Sequence, residues 1–381
     1  MTFFGDEHHA FRAKVREFVD TELAPHADEW EARCEFPRSV FRRCGELGIL
    51  GAPYPKAVGG AGGDWWHLVV WNEEIPRANC SAIAGAMLVQ GAIATPIIAQ
   101  VGTREQQSEF LTPALRGERI GAIGMTEPHC GSDVAAIRTT ARRVGDEFVI
   151  DGAKSLISNG ARADFITLVA RTGGEGLNGL SIILFPTDTK GFKVVKKVDK
   201  IGTRAIDTAN LSFEGCRVPA RLLLGVENRG FGYLMAHLPG ERIMGAAKSV
   251  ATAAWVIDEC VRYARERKLF GKSLLDFQVW QHAFADLRAR IEAARWLTYR
   301  AVDLYNQGKN AVLESSMAKL VACELLTETV DRCLQAYGGY GYTEDLPIAR
   351  AFRDARVMPI TGGSSEVMRD IIARLSGWTA A

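Results

Sequence analysis

The sequence predicts a multi-domain α+β protein. It comprises an N-terminal α-helical domain over residues 1–119, a middle antiparallel β barrel or sandwich over 120–225, and a C-terminal four-helix bundle over 226–381. Three observations predict it. Apolar residues recur at helical spacing through the first third, short β-branched runs punctuated by turn residues follow, and long helical stripes return after Gly230. A chain of 381 residues is long enough to bury a separate core in each part.

In the first third, Phe11, Val15, Phe18, Val19 and Leu23 form an amphipathic stripe that ends at Pro25, and a second helix is expected from Val40 to Leu50, closed by Gly51. The glycine-rich run Val58 to Asp64 lacks the Lys-Ser/Thr of a phosphate-binding loop and reads as a connecting turn. Ser81 to Val101 is the most apolar window. Gln90, Thr95-Pro96 and Gln100 interrupt it, so a packed core helix is expected there and not a membrane span.

The middle runs are Glu147–Ile150, Phe165–Val169, Ser181–Phe185 and Asn210–Phe213, with Asp151-Gly152 read as a hairpin turn. Beyond them, stripes over 242–265, 278–306 and 311–337 are joined by short loops, the pattern of an antiparallel bundle.

Composition excludes several classes. Hydrophobic residues make up 47% and charged residues 24%, and a net charge of +1 without basic blocks disfavours nucleic acid or an anionic membrane as partner. Eight cysteines without a CxxC pair argue against zinc and disulfide frameworks and suit a reducing compartment; with no signal-peptide pattern at the N-terminus, a cytoplasmic location is expected. There is no strand-leading GxGxxG, no GxSxG and no HExxH, and the seven histidines lack metal-ligand spacing, so no metal is expected.

Glu241 stands out on a helical line with Leu234, Leu238 and Gly245. A carboxylate on an apolar stripe must be paired, neutralised or put to work. An ion pair with a neighbouring Arg, or a stabilising acid in the first helical turn after Pro239, would account for it without any catalytic role.

Five segments in sequence order resemble the FAD-dependent acyl-CoA dehydrogenases. They are Met125-Thr-Glu-Pro-His-Cys-Gly-Ser-Asp133; Lys154-Ser-Leu-Ile-Ser-Asn-Gly160; Arg267-Lys-Leu-Phe-Gly-Lys272 with Gln278; Gln335-Ala-Tyr-Gly-Gly339; and Asp354 to Arg369. The resemblance implies the same helix, β, helix order and an FAD cofactor. It places Met125, Thr126, Leu156 and Ser158 at the flavin ring, and Gly131 and Ser132 beside flavin and thioester. Arg267, Phe270, Gln278, Gln335, Gly338 and Gly339 would contact FAD, the Arg and the Gln335–Gly339 loop reaching the cofactor of a neighbouring subunit in a homodimer or homotetramer. Ser364 and Glu366 would complete the flavin set.

Departures from the family pattern bear on mechanism. Many members carry their catalytic base in Ile-Tyr-Glu-Gly-Thr, where this chain has Ile360-Thr-Gly-Gly-Ser364, so the base position is Gly362. A long-chain and isovaleryl branch also has a small residue there and places its base in a segment like Leu-Pro-Gln-Glu-Arg-Leu. This chain has Leu238-Pro-Gly-Glu-Arg-Ile243. The resemblance therefore implies Glu241 as base and Arg242, Thr361, Gly362 and Gly363, with Ser132, as substrate contacts. Leu156 replaces a shielding Trp, His129-Cys130 replaces Gly-Ala, and Thr361 replaces a Tyr, which points away from a plain medium-length acyl chain.

The expected reaction is α,β-dehydrogenation of an acyl-CoA or acyl-carrier-protein thioester, with an electron-transfer flavoprotein as acceptor. A flavin oxidase or monooxygenase on the same scaffold, and a thioester-binding relative without catalysis, are the competing expectations.

Overall fold

The computed structural model describes residues 3–378. The first third is helical: α1 (Asp6–Phe18), α2 (Ala27–Arg33), α3 (Ser39–Glu46), α4 (Trp65–Glu74), α5 (Ser81–Leu88), α6 (Pro96–Val101), α7 (Arg104–Gln106) and α8 (Thr112–Leu115). The stripe from α1 continues through a wide turn at Val19–Leu23, and Val15, Phe18, Val19 and Leu23 are all buried. The second expected helix stops at Glu46, because Gly48 adopts a left-handed φ of 78° that ends it before Leu50. Ser81–Val101 is long and apolar enough to cross a membrane, yet 78% of its most apolar window is buried inside the fold.

The middle part is one sheet of β1 (Gly121–Gly124), β2 (Thr140–Val144), β3 (Glu147–Ser158), β4 (Phe165–Arg171), β5 (Leu180–Pro186), β6 (Phe192–Lys197), β7 (Thr208–Pro219) and β8 (Leu223–Leu224), in the order β6-β7-β3-β2-β4-β5-β8 with β1 also on β4. Most neighbours are antiparallel, but β1 runs parallel to β4, as does β2 at the Thr140–Arg171 pair. Asp151-Gly152 is not a hairpin turn. It lies inside β3 at a bulge against β7, where a Cβ on Gly152 would sit 2.6 Å from Thr139 Oγ1. The two-residue turn falls instead at Gly145-Asp146, between Val144 and its partner Glu147.

The C-terminal part packs α9 (Gly230–Glu266), α10 (Gln278–Asn306), α11 (Val312–Tyr337), α12 (Pro347–Ala355) and α13 (Ser365–Leu375). A small hairpin, β9 (Lys268–Leu269) and β10 (Lys272–Ser273), joins α9 to α10. Helix α9 begins nine residues before Pro239, so Pro239 is interior and Glu241 is not in a first turn. The proline removes one i→i−4 hydrogen bond. The close fit around it, where a Cβ on Gly240 would lie 2.7 Å from the Trp65 ring, holds the helix on course.

Candidate active site

The site is built around Glu241 on α9. The residue as a whole is half-buried with its carboxylate turned inward, and no hydrogen bond among the described residues engages that carboxylate. Burial pushes its pKa above the ordinary value, opposed by the charges of Arg242 and Lys319. With Glu241 away from the helix N-terminus, desolvation outweighs any help from the helix dipole.

Gly362 faces it. Its φ of 67° is in the left-handed region, and a Cβ built there would lie 3.0 Å from Glu241 Oε1. The carboxylate therefore stands in the space a side chain at 362 would enter. Gly363, at φ 92°, offers its carbonyl to the Lys319 ammonium, and a Cβ there would come within 3.9 Å of Arg242 Nη2. Arg242 is buried, reaches Ser316 Oγ at 3.5 Å, and has no partner for Nε among the described residues. Thr361 is exposed beside the turn, and Ser364 caps α13 by accepting from Val367 N at 3.4 Å, with Glu366 exposed in its first turn.

A second group gathers on the sheet. Met125 and Thr126 lie just past the end of β1, and the Thr126 carbonyl accepts from Ser155 N of β3 at 2.9 Å. A Cβ on Gly131 would reach Thr126 Cγ2 at 4.0 Å, so Gly131 folds back over Thr126 while Ser132 is exposed beside it. Ser158 is the last residue of β3. Leu156 stands out of a bulge at φ 58° and is 60% exposed.

Beneath this loop, Lys154 Nζ donates to Glu127 Oε1 at 2.7 Å and to the Met125 carbonyl at 3.0 Å, and Glu127 also accepts from the Arg138 and Thr139 amides. Burial alone would raise the pKa of Glu127. The Lys154 charge and these donors hold it below the ordinary range. Lys154 is pulled down by burial to about 8, so at neutral pH the pair is charged on both sides.

The third group lies elsewhere. Arg267, Phe270, Gln278, Gln335, Gly338 and Gly339 are all exposed. The Arg267 guanidinium sits 5.7 Å from the Tyr340 ring, tying the β9–β10 turn to the loop after α11. Phe270-Gly271 has positive φ at both positions, the two-residue hairpin geometry, and this presents Phe270 at 87% exposure. Arg267 is 26 residues beyond Glu241, just past the end of the same helix, about 39 Å at 1.5 Å per residue. One chain therefore does not bring this group to its own Glu241.

A small apolar cavity lies one turn beyond Glu241, lined by Leu68, Trp71, Asn72, Met87, Leu88 and Met244 among others. Asn159, next to Ser158, binds the Ala86 carbonyl of α5 at 3.1 Å and so fastens the end of β3 to a helix that lines this cavity.

Family descriptions for the acyl-CoA dehydrogenase N-terminal, middle and C-terminal domains match residues 5–118, 122–216 and 228–376. The chain belongs to the acyl-CoA dehydrogenase family. It is 39% identical to the mitochondrial long-chain specific acyl-CoA dehydrogenase of Rattus norvegicus over 97% of this chain and 86% of that protein. Among solved structures, the acyl-CoA dehydrogenase of Geobacillus kaustophilus superposes with a TM-score of 0.95 at 38% identity, covering 98% of this chain and 99% of that one. A glutaryl-CoA dehydrogenase from Mycobacterium smegmatis, solved in complex with FADH2, gives 0.93 at 27% identity, covering 99% and 96%. This acyl-CoA dehydrogenase is thus an oxidoreductase of a flavin-dependent family.

The residues present fit an FAD. Large apolar side chains at Leu156 and Phe270 stand uncovered, and Gly338 and Gly339 have open space where a Cβ would point. Of the five buried side-chain polar atoms without a partner among the described residues, two lie in the motif segments, at Asn159 Oδ1 and Ser365 Oγ, and a third, Arg242 Nε, lies next to Glu241. Sequence reasoning missed Lys319 and gave Glu127 and Lys154 no role. Lys319 lacked the signal that marked Glu241, because its helical neighbours Ser315, Ser316 and Cys323 make no apolar stripe in the sequence, although all are buried in the fold.

Proposed function

We propose that this acyl-CoA dehydrogenase oxidises an acyl-CoA thioester to the trans-2-enoyl thioester, with Glu241 as the base that takes the α-proton. The observation that carries the reading is the 3.0 Å approach of Glu241 Oε1 to the Cβ direction of Gly362. Two family positions for the base converge on one point in space, and this chain fills it from α9. An unbonded carboxylate with a raised pKa is a stronger proton acceptor than a saturated one.

The backbone N–H of Gly362 would polarise the thioester carbonyl as enolate character develops. The acyl chain would run toward the apolar side chains around Met244, and Ser132 would face the thioester side. Met125, Thr126, Leu156 and Ser158 would hold the flavin ring, with Ser364 and Glu366 at its other contacts. When bound, FAD supplies the acceptor for the hydride leaving Cβ. Arg267, Phe270, Gln278, Gln335, Gly338 and Gly339 would serve the cofactor of a neighbouring subunit, because about 39 Å of helix separates them from their own Glu241. That separation supports a homo-oligomer, dimer or tetramer. Family membership supports an electron-transfer flavoprotein as the electron acceptor.

Anaerobic mixing of the holoprotein with acyl-CoA thioesters of varied chain length tests this. Wild type should lose its oxidised-flavin absorbance, and Glu241→Gln should do so about 10²–10⁴-fold more slowly. A Glu241→Gln protein that bleaches at the wild-type rate would refute the base assignment, and no bleaching with any thioester would refute the reaction.

A further inference from the structure

Lys319 of α11 is 3% exposed, and its ammonium donates to the Gly363 carbonyl. A buried ammonium is costly unless its charge and its donors are met. The carboxylates whose charge favours it include Glu241 and Glu324, and Glu324 is already bound to Arg369 at 2.7 Å. Burial lowers the Lys319 pKa, with Cys323 and these carboxylates opposing. Of the two carboxylates, Glu241 is the one with no bonded cation among the described residues.

We infer that Lys319 is a positioning residue for the base site, pinning the Gly362–Gly363 turn through the Gly363 carbonyl and placing a positive charge beside Glu241. This deepens the assignment of Glu241 as base and rests on it. The turn matters because both glycines hold left-handed φ values, a conformation with little intrinsic preference to persist. One buried hydrogen bond from a rigid helix fixes where the Gly362 N–H points. The charge matters because an uncompensated buried carboxylate would stay protonated to higher pH and be useless as a base.

The other groups around Glu241 do not duplicate this role. Arg242, its neighbour on α9, also lowers the Glu241 pKa but makes no bond to the glycine turn among the described residues. His237, one turn earlier, is pulled down by burial to about 4 and is neutral at working pH. Tyr305 of α10, whose hydroxyl lies near Gly240, is pushed up by burial to about 12. Glu366 of α13 is exposed, and its pKa is lowered chiefly by its hydrogen bond with Ser364, with the Lys319 charge a smaller contribution.

The test compares Lys319→Met, Lys319→Gln and Lys319→Arg holoproteins by the pH profile of anaerobic flavin reduction, alongside FAD content and thermal midpoint. Removing the charge should move the acid limb of the profile to higher pH, and a limb displaced by one pH unit slows the reaction about tenfold below it. Lys319→Met should also lower the high-pH plateau, because the Gly363 carbonyl loses its donor. Lys319→Gln keeps a donor, so it covers the case in which Met prevents folding. Lys319→Arg should return the limb toward wild type. A folded, FAD-loaded Met or Gln variant with an unmoved acid limb overturns the inference, whatever its plateau. The base reading fails separately, if Glu241→Gln reduces its flavin as fast as wild type.

Discussion

Glu127 and Glu241 are two glutamates in buried settings of one chain, and they have been given opposite surroundings. Glu127 accepts from Lys154 and from two backbone amides, and its pKa falls. Glu241 accepts from none of the described residues, has its cations near but not bonded, and its pKa rises. The first carboxylate is locked and holds a loop in place. The second is free to change partners, which a proton acceptor must do. Burial does not separate a structural acid from a reactive one; the number of donors already committed to it does.

The comparison breaks most visibly at the locked acid. Lys154→Met leaves Glu127 charged, buried and short of a partner, and should cost about 3–5 kcal/mol of stability by urea or thermal unfolding. Glu127→Gln with Lys154→Met should recover only part of this, since the Arg138 and Thr139 amides still need an acceptor. Glu241→Gln, which removes an unbonded carboxylate, should leave stability unchanged or improved while the reduction rate collapses. A large stability loss in Glu241→Gln would place it with the structural acids.

The same contrast explains what could be read from the sequence. The five segments that resemble the family are contiguous motifs, and the carboxylate on an apolar stripe was visible at Glu241 because helical spacing is a local property. The long stripes of α9, α10 and α11 were legible for the same reason. Lys319 was not, because its bond to Gly363 spans 44 residues and depends on how α11 packs. Asp151-Gly152 misled because a glycine that fits a turn also fits a bulge, and only the Thr139 contact decides between them. Pro239 misled because a proline is most at home at a helix start, whereas here it lies inside α9, with the next residue, Gly240, set close against Trp65.

A smaller perturbation sharpens the geometry on the free side. Gly362→Ala should cost about 1–2 kcal/mol from its left-handed φ alone. Its methyl would also press on Glu241 Oε1 from 3.0 Å, so flavin reduction should slow beyond what the stability loss accounts for. Gly131→Ala is the control on the sheet side, where the new methyl would meet Thr126 only at 4.0 Å and φ is not left-handed. It should be close to silent in stability. Equal stability losses at the two glycines would mean that the turn facing Glu241 is not under special constraint.

The smallest expected effect, and the one that separates the two acids by sign, is the pH dependence of stability. Glu241 has a folded pKa above the ordinary 4.5, so the folded protein holds a proton that the unfolded chain has released. Its contribution therefore falls as pH rises from about 4.5 through the folded value. Glu127 has a folded pKa below 4.5, so its contribution is present above that pH and is lost as pH falls. Urea unfolding of FAD-saturated protein between pH 4 and pH 7, with each stability compared to wild type, reads both. Relative to wild type, Glu241→Gln should gain stability as pH rises, by at most about 1.4 kcal/mol per pH unit. Glu127→Gln should lose ground over the same rise, most of it on the acid side. Slopes of the same sign in the two variants would mean that the two carboxylates share one environment, and the distinction between a locked and a free acid would fall with them.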